Sequence, residues 1–475
     1  MKELKKTKKT TSNNFKLDIL PHLIVIIICV SFSLAAALIN VHRFWQYDLG
    51  YYDFGFFDKA IWSVSRFQLP ITDHFVFSGK IIFADHLNPS IFILTPLFWL
   101  TSRSEVLLIA QSILVGLSGY VIFLIGRKIL NSKWLSLVIL LSYFLFIGLQ
   151  NAVYSDFHEL TVMTFFLAMT YWCIVSDRQK LFFLFFIITL GFKESLFLLG
   201  IGLSFFIYLY KREWRRIAII CFFVSMFWGF LAIKVIIPYF SQGIYNSSPN
   251  LEGGLVNVFT RLVFPAIKIK TIFWTLLSFL FLPLLTPSTW PTLILNYIHR
   301  FLMDGATRWD LGLHYNAEIA PTLAVASISG LHLFQKKFAK KITIIISITL
   351  VLISFFLYRF VFHGPLGLAY NPAFYSHTKN FAFIDTMVKV VPKNTRVLAQ
   401  NNLTLPFLHN DVWILRENYK KYNADYIVLD VRNGQNPSNY LGISDLNKLL
   451  NTIKNDFNYV IIYHEGDQYV FKRKK

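Results

Sequence analysis

Long apolar segments recur through the first 360 positions of this chain. Several of them reach or approach the roughly 18 consecutive apolar residues that suggest a membrane-spanning helix. Hydrophobic residues make up 55% of the 475 positions and charged residues only 15%, which is far too apolar for a soluble protein. The sequence therefore predicts a polytopic α-helical membrane protein.

The net charge of +20 does not indicate a nucleic-acid-binding protein. Lysines and arginines lie in short connectors between apolar segments and form no single patch, which is the positive-inside pattern of membrane proteins. Cys29, Cys173 and Cys221 each lie within an apolar segment, so neither a disulfide framework nor a cysteine metal site is expected. The phosphate-binding motifs GxGxxG and GxxxxGK[ST] are absent, which argues against an ATP-driven pump.

The basic connectors predict which loops share a side of the membrane. The tail, residues 1–18, is predicted to be cytoplasmic, and residues 19–360 to form about eleven spans. Within this domain, residues 89–100 are predicted to be re-entrant or interfacial, and residues 181–210 to form two short or tilted spans. Residues 268–270 are predicted to be an inner connector between two further spans. Residues 361–475 are then extracytoplasmic, and their short β-branched runs predict a small soluble α/β domain.

The first outer loop, residues 42–88, carries the strongest candidates for catalysis. Asp48, Asp53 and Asp58 follow one another at five-residue intervals among aromatic residues, which can desolvate a carboxylate and make it a usable general base. Asp85 and His86 follow and could orient one another or bind a divalent cation such as Mg²⁺ or Mn²⁺. The alternative is a solvated acidic loop within an aromatic belt.

Three further outer segments carry candidates for substrate binding. Ionisable residues at membrane depth indicate function, although helix capping, a structural ion pair or contact with lipid headgroups would explain each segment taken alone. Arginine and histidine on this face would suit a phosphate group. The candidates are Asp156, His158 and Glu159; Lys193 and Glu194; and Arg300, Arg308, His314 and Tyr315.

Five motifs together resemble a known family of prokaryotic membrane proteins. They are DFGFFDKAIW at 53–62, FADHLNPSIFILTPLFWL at 83–100, DFHELT at 156–161, FKES at 192–195 and HYNAEIAP at 314–321. In this order they resemble domain of unknown function 2079, which is similar to the multispanning GT-C glycosyltransferases. The resemblance implies a GT-C-like bundle, a polyprenyl-phosphate sugar donor, and Asp53 as general base. It also implies that Asp85 and His86 are partners in the second loop segment, that Asp156, His158 and Glu194 line the same cavity, and that His314 lies near the lipid phosphate.

The sequence predicts a membrane glycosyltransferase-like protein that acts on a glycan or protein acceptor at the outer face. Two other classes of protein stay open. A transporter or lipid flippase would use charges such as Glu194 as substrate or proton sites. A non-catalytic scaffold or sensor would bind a partner through its C-terminal domain, and would not depend on Asp53.

Overall fold

The structure, a computed structural model, describes residues 10–73, 80–243, 245, 247–249, 251, 254–379, 381–416 and 418–474. Residues 1–9 of the predicted cytoplasmic tail therefore lie outside the described residues. Helices dominate up to residue 361 and a five-stranded sheet follows. The α-helices of eight or more residues in the first part are α1 (Thr10–Trp45), α2 (Phe56–Ser65), α3 (Glu105–Leu130), α4 (Lys133–Leu145), α5 (Ile147–Tyr154), α6 (Glu159–Val175), α7 (Gln179–Leu190), α8 (Leu196–Tyr210), α9 (Arg215–Phe230), α10 (Gly254–Val263), α11 (Ile267–Leu277), α12 (Trp290–Leu302), α13 (Ala320–Lys337) and α14 (Lys340–Phe356).

Five segments of the described chain are helices long and apolar enough to cross a membrane. They are Leu20–Trp45, Glu105–Leu130, Arg212–Ser241, His314–Lys337 and Lys340–Val361. A sixth is the pair α4 and α5, which is bent by 50° at Phe146. The remaining apolar helices of the bundle are shorter. The count of about eleven spans stays a prediction. Residues 181–210 form two helices, α7 and α8, as predicted.

Two cavities lie at opposite ends of the bundle. We call the first, lined by Asp53, Glu159 and Lys193, the charged cavity. Glu159 is the first residue of α6, whereas the last, Val175, lines the second cavity. That second cavity, which we call the basic cavity, is also lined by Lys128, Lys211 and Lys336. The basic connectors and the candidate site residues therefore lie at different ends of the bundle.

The prediction that residues 268–270 form a connector on the basic side is wrong. The Lys268 ammonium donates to the carbonyl of Phe301 at 2.8 Å and lies 4.0 Å from the ring centroid of Trp309, beside residues that line the charged cavity. Helix α10, at about 15 Å, is also too short to cross a hydrocarbon core of about 30 Å. The turn at the basic end is formed instead by residues that include Leu285, Thr286 and Pro287. Lys268 can lie here because backbone carbonyls satisfy its charge.

The C-terminal part is a mixed α/β domain. Two short strands, β1 (Ile71–Thr72) and β2 (Lys80–Ile81), pair in the first loop. The strands of the C-terminal domain are β3 (Arg396–Ala399), β4 (Asp411–Ile414), β5 (Tyr426–Asp430), β6 (Tyr459–Glu465) and β7 (Gln468–Arg473). They form one sheet in the order β4-β3-β5-β7-β6. Strands β3, β4 and β5 are parallel, and β7 pairs antiparallel with β5 and β6. Its helices are α15 (Pro372–Lys379), α16 (Ala382–Lys389) and α17 (Ile443–Lys454).

The two faces of this sheet are buried against different partners. Side chains alternate between faces along a strand, so Val397 and Ala399 point to one side and Leu398 to the other. Val397 and Ala399 belong to the same hydrophobic core as the helical bundle, whereas Leu398 packs with residues of α17 such as Leu446. The α/β domain is therefore joined to the bundle through a shared core.

Candidate active site

Residues far apart in the sequence line the charged cavity. Its volume is about 250 Å³. Eleven of the fourteen candidate residues predicted from the sequence lie in its wall, namely Asp53, Asp85, His86, His158, Glu159, Lys193, Glu194, Arg300, Arg308, His314 and Tyr315. The other three, Asp48, Asp58 and Asp156, lie elsewhere, and Asp48 forms an ion pair with Arg43. The structure thus brings together candidates from every predicted outer segment.

Asp53 has an unusual backbone conformation in the loop between α1 and α2. Its φ of 73° and ψ of −72° correspond to the rare, strained form of the γ-turn, which side chains other than glycine seldom adopt. Its side chain is partly exposed to the cavity, and none of the described residues donates a hydrogen bond to its carboxylate. Burial, reinforced by the charges of Asp156 and Glu159, raises the pKa of Asp53 to about 7. Asp53 is thus an unpaired carboxylate that changes protonation near neutral pH.

Glu159 is the centre of a buried polar network at the start of α6. One of its oxygens lies 2.9 Å from the Lys193 ammonium and the other 2.8 Å from Nδ1 of His158. The ring of His158 stacks on that of His314, with centroids 3.3 Å apart, and His314 lies in turn against Tyr315. Glu159 is fully buried, so its charge depends on these partners.

Glu194 forms a second network in the lining of the cavity. Its carboxylate accepts hydrogen bonds from Nδ1 of His86 at 2.9 Å, from the backbone N–H of Leu87 at 3.2 Å and from the Tyr245 hydroxyl at 3.4 Å. Burial favours neutral His86, but the Glu194 charge outweighs this and raises the pKa of His86. Asp85 lies 3.9 Å from the other ring nitrogen. His86 and Leu87 are thereby fixed to the hairpin between α7 and α8.

The two predicted arginines have different surroundings. Arg300 is buried and donates to the backbone carbonyls of Arg308 and Asp310 and to Asn316 Oδ1, at 2.9–3.0 Å. These bonds hold the loop between α12 and α13 and use much of the donor capacity of Arg300. Arg308 is half-buried, and its guanidinium makes no hydrogen bond or ion pair with a described residue. Arg308 is the cation of this wall that is available to an anionic ligand.

Asp58 and Asp156 are held by partners outside the cavity. Asp58 is fully buried in α2, and its Oδ1 lies 2.8 Å from Nε2 of His409 in the α/β domain. Asp156 lies 3.2 Å from an Arg43 nitrogen, and burial outweighs that cation to raise the pKa of Asp156 to about 6. The residue that caps α6 is His158, so the helix-capping alternative does not describe Asp156.

Several residues of the cavity were not predicted from the sequence. Glu318 lies four positions after His314, a helical spacing that puts both on one face and could have identified it. His299 precedes Arg300 near the end of α12, and its position gave no comparable signal. Tyr52, Ser195, Ser247 and Thr307 complete the polar lining.

Comparison of the sequence with known families identifies one match. The sequence profile of DUF2079, a family of predicted membrane proteins, matches residues 43–470. This chain belongs to that family. The predicted resemblance is therefore confirmed, and this DUF2079 protein is a membrane protein. No curated protein matches its sequence.

A solved structure shares the fold of this DUF2079 protein. ArnT from Cupriavidus metallidurans bound to undecaprenyl phosphate is 9% identical, with a TM-score of 0.51, and the match covers 94% of this chain and 97% of that one. The apo state of the same ArnT is 11% identical, with a TM-score of 0.48, over 93% of this chain and 97% of that one. At such identity the likeness shows the fold alone. It confirms the predicted fold class, a GT-C-like helical membrane bundle with a C-terminal α/β domain.

Proposed function

We propose that this DUF2079 protein transfers a sugar from a polyprenyl-phosphate donor to an acceptor hydroxyl group in the charged cavity. The observation that carries the proposal is Asp53, a carboxylate without a partner among the described residues, in a strained turn of the cavity wall. A general base works best when its pKa lies close to the working pH, and that of Asp53 is about 7. Of the three buried carboxylates in the same wall, Glu159 and Glu194 are already bonded to basic side chains. The third, Glu318, is 6% exposed and therefore less open to a substrate than Asp53, which is partly exposed.

The proposed reaction is a single displacement at the anomeric carbon of the donor sugar. The acceptor oxygen forms a bond to this carbon while the bond from the carbon to the phosphate oxygen breaks. Asp53 receives the proton of the acceptor hydroxyl, and polyprenyl phosphate leaves with the bonding electrons. The phosphate thereby gains one negative charge, so cations near it stabilise the transition state more than the bound donor.

Arg308 and Lys193 are the cations suited to this phosphate. Arg308 makes no hydrogen bond or ion pair with a described residue, and its guanidinium lies 5.7 Å from the ring centroid of Tyr315. Its planar guanidinium can donate two parallel hydrogen bonds to a phosphate. The Lys193 ammonium uses one of its three donors on Glu159 and faces the same cavity. His86, fixed by Glu194, would add a further donor. Arg300 would act by holding the loop that carries Arg308.

A lipid-linked donor suits a small polar cavity at the end of a membrane bundle. Ligand pockets typically measure about 300–1,000 Å³. A cavity of about 250 Å³ accommodates a phosphate and a sugar ring, but a polyprenyl chain would have to lie along the bundle in the bilayer. The solved ArnT structure is described as bound to undecaprenyl phosphate, and its fold matches over 94% of this chain. Both observations support a polyprenyl-phosphate partner.

The orientation of the protein in the membrane is part of the proposal. Lys128, Lys211 and Lys336 line the cavity at the far end of the bundle, and connectors with such residues favour the cytoplasm. The N-terminus would then be cytoplasmic, and the charged cavity and the α/β domain extracytoplasmic. The acceptor, a glycan or a protein, would reach Asp53 from that side.

A divalent cation was suggested for Asp85 and His86. Within the described residues, no three His, Cys, Asp or Glu side chains converge closely enough to hold a metal ion. His86 Nδ1 is also committed to Glu194. The divalent cation therefore stays a prediction from the sequence. Rates measured with a chelator, and after Mg²⁺ or Mn²⁺ is restored, would test the suggestion.

The proposed base predicts how transfer depends on pH. Asp53 must be deprotonated to accept a proton, and its pKa of about 7 is raised above the ordinary value. We therefore expect kcat/KM for transfer to fall about tenfold per pH unit below about pH 7 and to level off above it. Initial rates between pH 5 and 9, with tryptophan fluorescence to confirm folding, would measure this. A rate independent of pH over this range would contradict the assignment of Asp53.

The proposal is tested directly by transfer from radiolabelled donors in proteoliposomes. The reconstituted protein would be given a panel of polyprenyl-phosphate sugars with a crude cell-envelope fraction as acceptor. Label in the acceptor fraction supports a transferase. Movement of a labelled lipid across the bilayer without a new covalent bond would favour a transporter or flippase instead. If no donor gives transfer or lipid movement, the experiment favours a scaffold or sensor.

A further inference from the structure

The first loop contacts the α/β domain on both sides of Asp53. Before Asp53, the backbone N–H of Tyr52 donates to Oδ1 of Asn401 at 3.0 Å, and Asn402 and Asn436 each donate to the carbonyl of Tyr47. After it, Asp58 pairs with His409, which stacks on Trp62 at 4.6 Å between ring centroids. The Lys59 ammonium donates to the carbonyl of Asn410. These contacts do not include the Asp53 side chain, so they leave its carboxylate available.

The turn at Asp53 needs such external support. A residue in a sparsely populated backbone region costs about 1–3 kcal/mol and persists only where its surroundings impose it. The residue before it, Tyr52, has an ordinary extended backbone with φ −67° and ψ 130°. The chain changes direction between Tyr52 and Asp53. The N–H of Tyr52, which donates to Asn401, lies directly before this change of direction.

Asn401 is rigid enough to supply this support. It is 1% exposed, and it follows directly after strand β3 and Gln400. Its side-chain nitrogen donates to the carbonyl and to the hydroxyl of Ser438, both at 3.1 Å. Since a carbonyl can only accept, these bonds fix which end of the amide is nitrogen and turn Oδ1 toward Tyr52. The amide therefore has one orientation, and that orientation suits the loop.

Gly50 shows how closely the loop approaches this side chain. A Cβ atom added at position 50 would lie 2.4 Å from Nδ2 of Asn401, a distance that real Cβ atoms do not show. Gly55, on the other side of Asp53, lies equally close to Leu408 of the same domain, where a Cβ would be 2.7 Å from Cδ2. The α/β domain therefore approaches the loop closely at both places, and the fixed amide of Asn401 leaves no room for a side chain at position 50.

We propose that the α/β domain holds the catalytic loop in its strained conformation, and that Asn401 is the positioning residue for Asp53. This inference rests on the proposed role of Asp53. It gives the domain a part in the reaction that does not depend on recognising an acceptor. Asn401 touches no substrate in this account and acts through the backbone of Tyr52.

The test uses a chemical readout that needs no substrate. Dicyclohexylcarbodiimide modifies protonated carboxyl groups in apolar surroundings, and mass spectrometry of the full-length protein in detergent quantifies modification of Asp53 at each pH. In the wild-type protein we expect half-maximal modification near pH 7, where Asp53 loses its proton. In Asn401→Ala the loop relaxes toward solvent, and the midpoint should move at least one pH unit lower.

Three further variants make the result decisive. Asn401→Asp keeps an acceptor for the Tyr52 N–H and should return the midpoint to the original value or above it. Asn458→Ala, in an exposed turn of the same domain, should leave it unchanged. Should Asn401→Ala fail to fold, as judged by size-exclusion chromatography, Gly50→Ala separates the same two groups from the loop side and should give the same downward shift.

The outcomes separate this inference from the proposed function. An unshifted Asp53 midpoint in folded Asn401→Ala or Gly50→Ala would overturn the inference, even in a protein that transfers sugar. A downward shift in a protein that transfers no sugar would support the positioning role while the transferase proposal fails. Where transfer is measurable, Asn401→Ala should lower kcat about 10–100-fold with little change in the KM for the donor.

Discussion

Replacing Asp53 by asparagine should reduce sugar transfer about 100- to 10,000-fold, the range typical of a lost general base. Asparagine has nearly the same shape as aspartate but cannot accept the proton of the acceptor hydroxyl. Because no described residue is bonded to the Asp53 carboxylate, the substitution breaks no ion pair. Initial rates in proteoliposomes with a labelled donor, at a pH above 7, would measure the loss.

The control for this experiment is a carboxylate removed elsewhere. Asp445 lies on the exposed side of α17, in a surface ion pair with Lys448, and Asp445→Asn should transfer sugar at the original rate. Full activity in Asp53→Asn would move the base to Asp85, a carboxylate of the cavity whose nearest cationic contact is a His86 nitrogen at 3.9 Å. Asp58 would be a poor substitute because His409 covers it.

Lys193→Met should give the largest loss of stability among single substitutions at the site. Glu159 is fully buried, and the Lys193 ammonium 2.9 Å away is its closest full charge. Removing one partner of a buried ion pair leaves an uncompensated charge and typically costs about 3–5 kcal/mol. Thermal unfolding in detergent, followed by tryptophan fluorescence, should show a clearly lower melting temperature.

A double variant distinguishes a stranded charge from lost packing. Lys193→Met combined with Glu159→Gln removes both charges and should recover much of the stability lost in the single variant. Lys211→Met provides a matched lysine, because Lys211 forms a 2.8 Å ion pair with the exposed carboxylate of Asp177 and should cost about 1 kcal/mol or less. Equal losses in Lys193→Met and Lys211→Met would show that burial does not control the strength of the Glu159 pair.

From the sequence we predicted which residues line the cavity more accurately than we predicted the contacts that each of them makes. Positive-inside reasoning placed Asp53, His86, Glu159, Lys193 and His314 on one side, since the charge of each connector is visible in the sequence. The structure brings these five residues to one cavity. Residues 268–270 were misplaced because the rule describes a bias among connectors, and a lysine bonded to backbone carbonyls is not subject to it.

Other features could not be predicted because they depend on contacts between distant segments. Asp58 carried the same sequence signal as Asp53, and only the position of His409 shows that it faces away from the cavity. The positive φ of Asp53 has no local signature, since the chain alone would favour an ordinary turn there. Likewise, Arg300 and Arg308 look alike in the sequence. Only the folded loop shows that the donors of Arg300 are bonded to backbone carbonyls, whereas those of Arg308 are not bonded to a described residue.

The bond between Tyr52 and Asn401 joins residues 349 positions apart, which affects when a new chain becomes active. At synthesis rates of about 5–20 residues per second, Asn401 emerges roughly 17–70 seconds after Tyr52. During that interval the membrane helices can insert and pack, but the loop at Asp53 has nothing to shape it. With the proposed function, a ribosome-bound or prematurely terminated chain would thus occupy the membrane without consuming lipid-linked sugar. With the proposed orientation, activity would begin only after the C-terminal residues have been exported and folded.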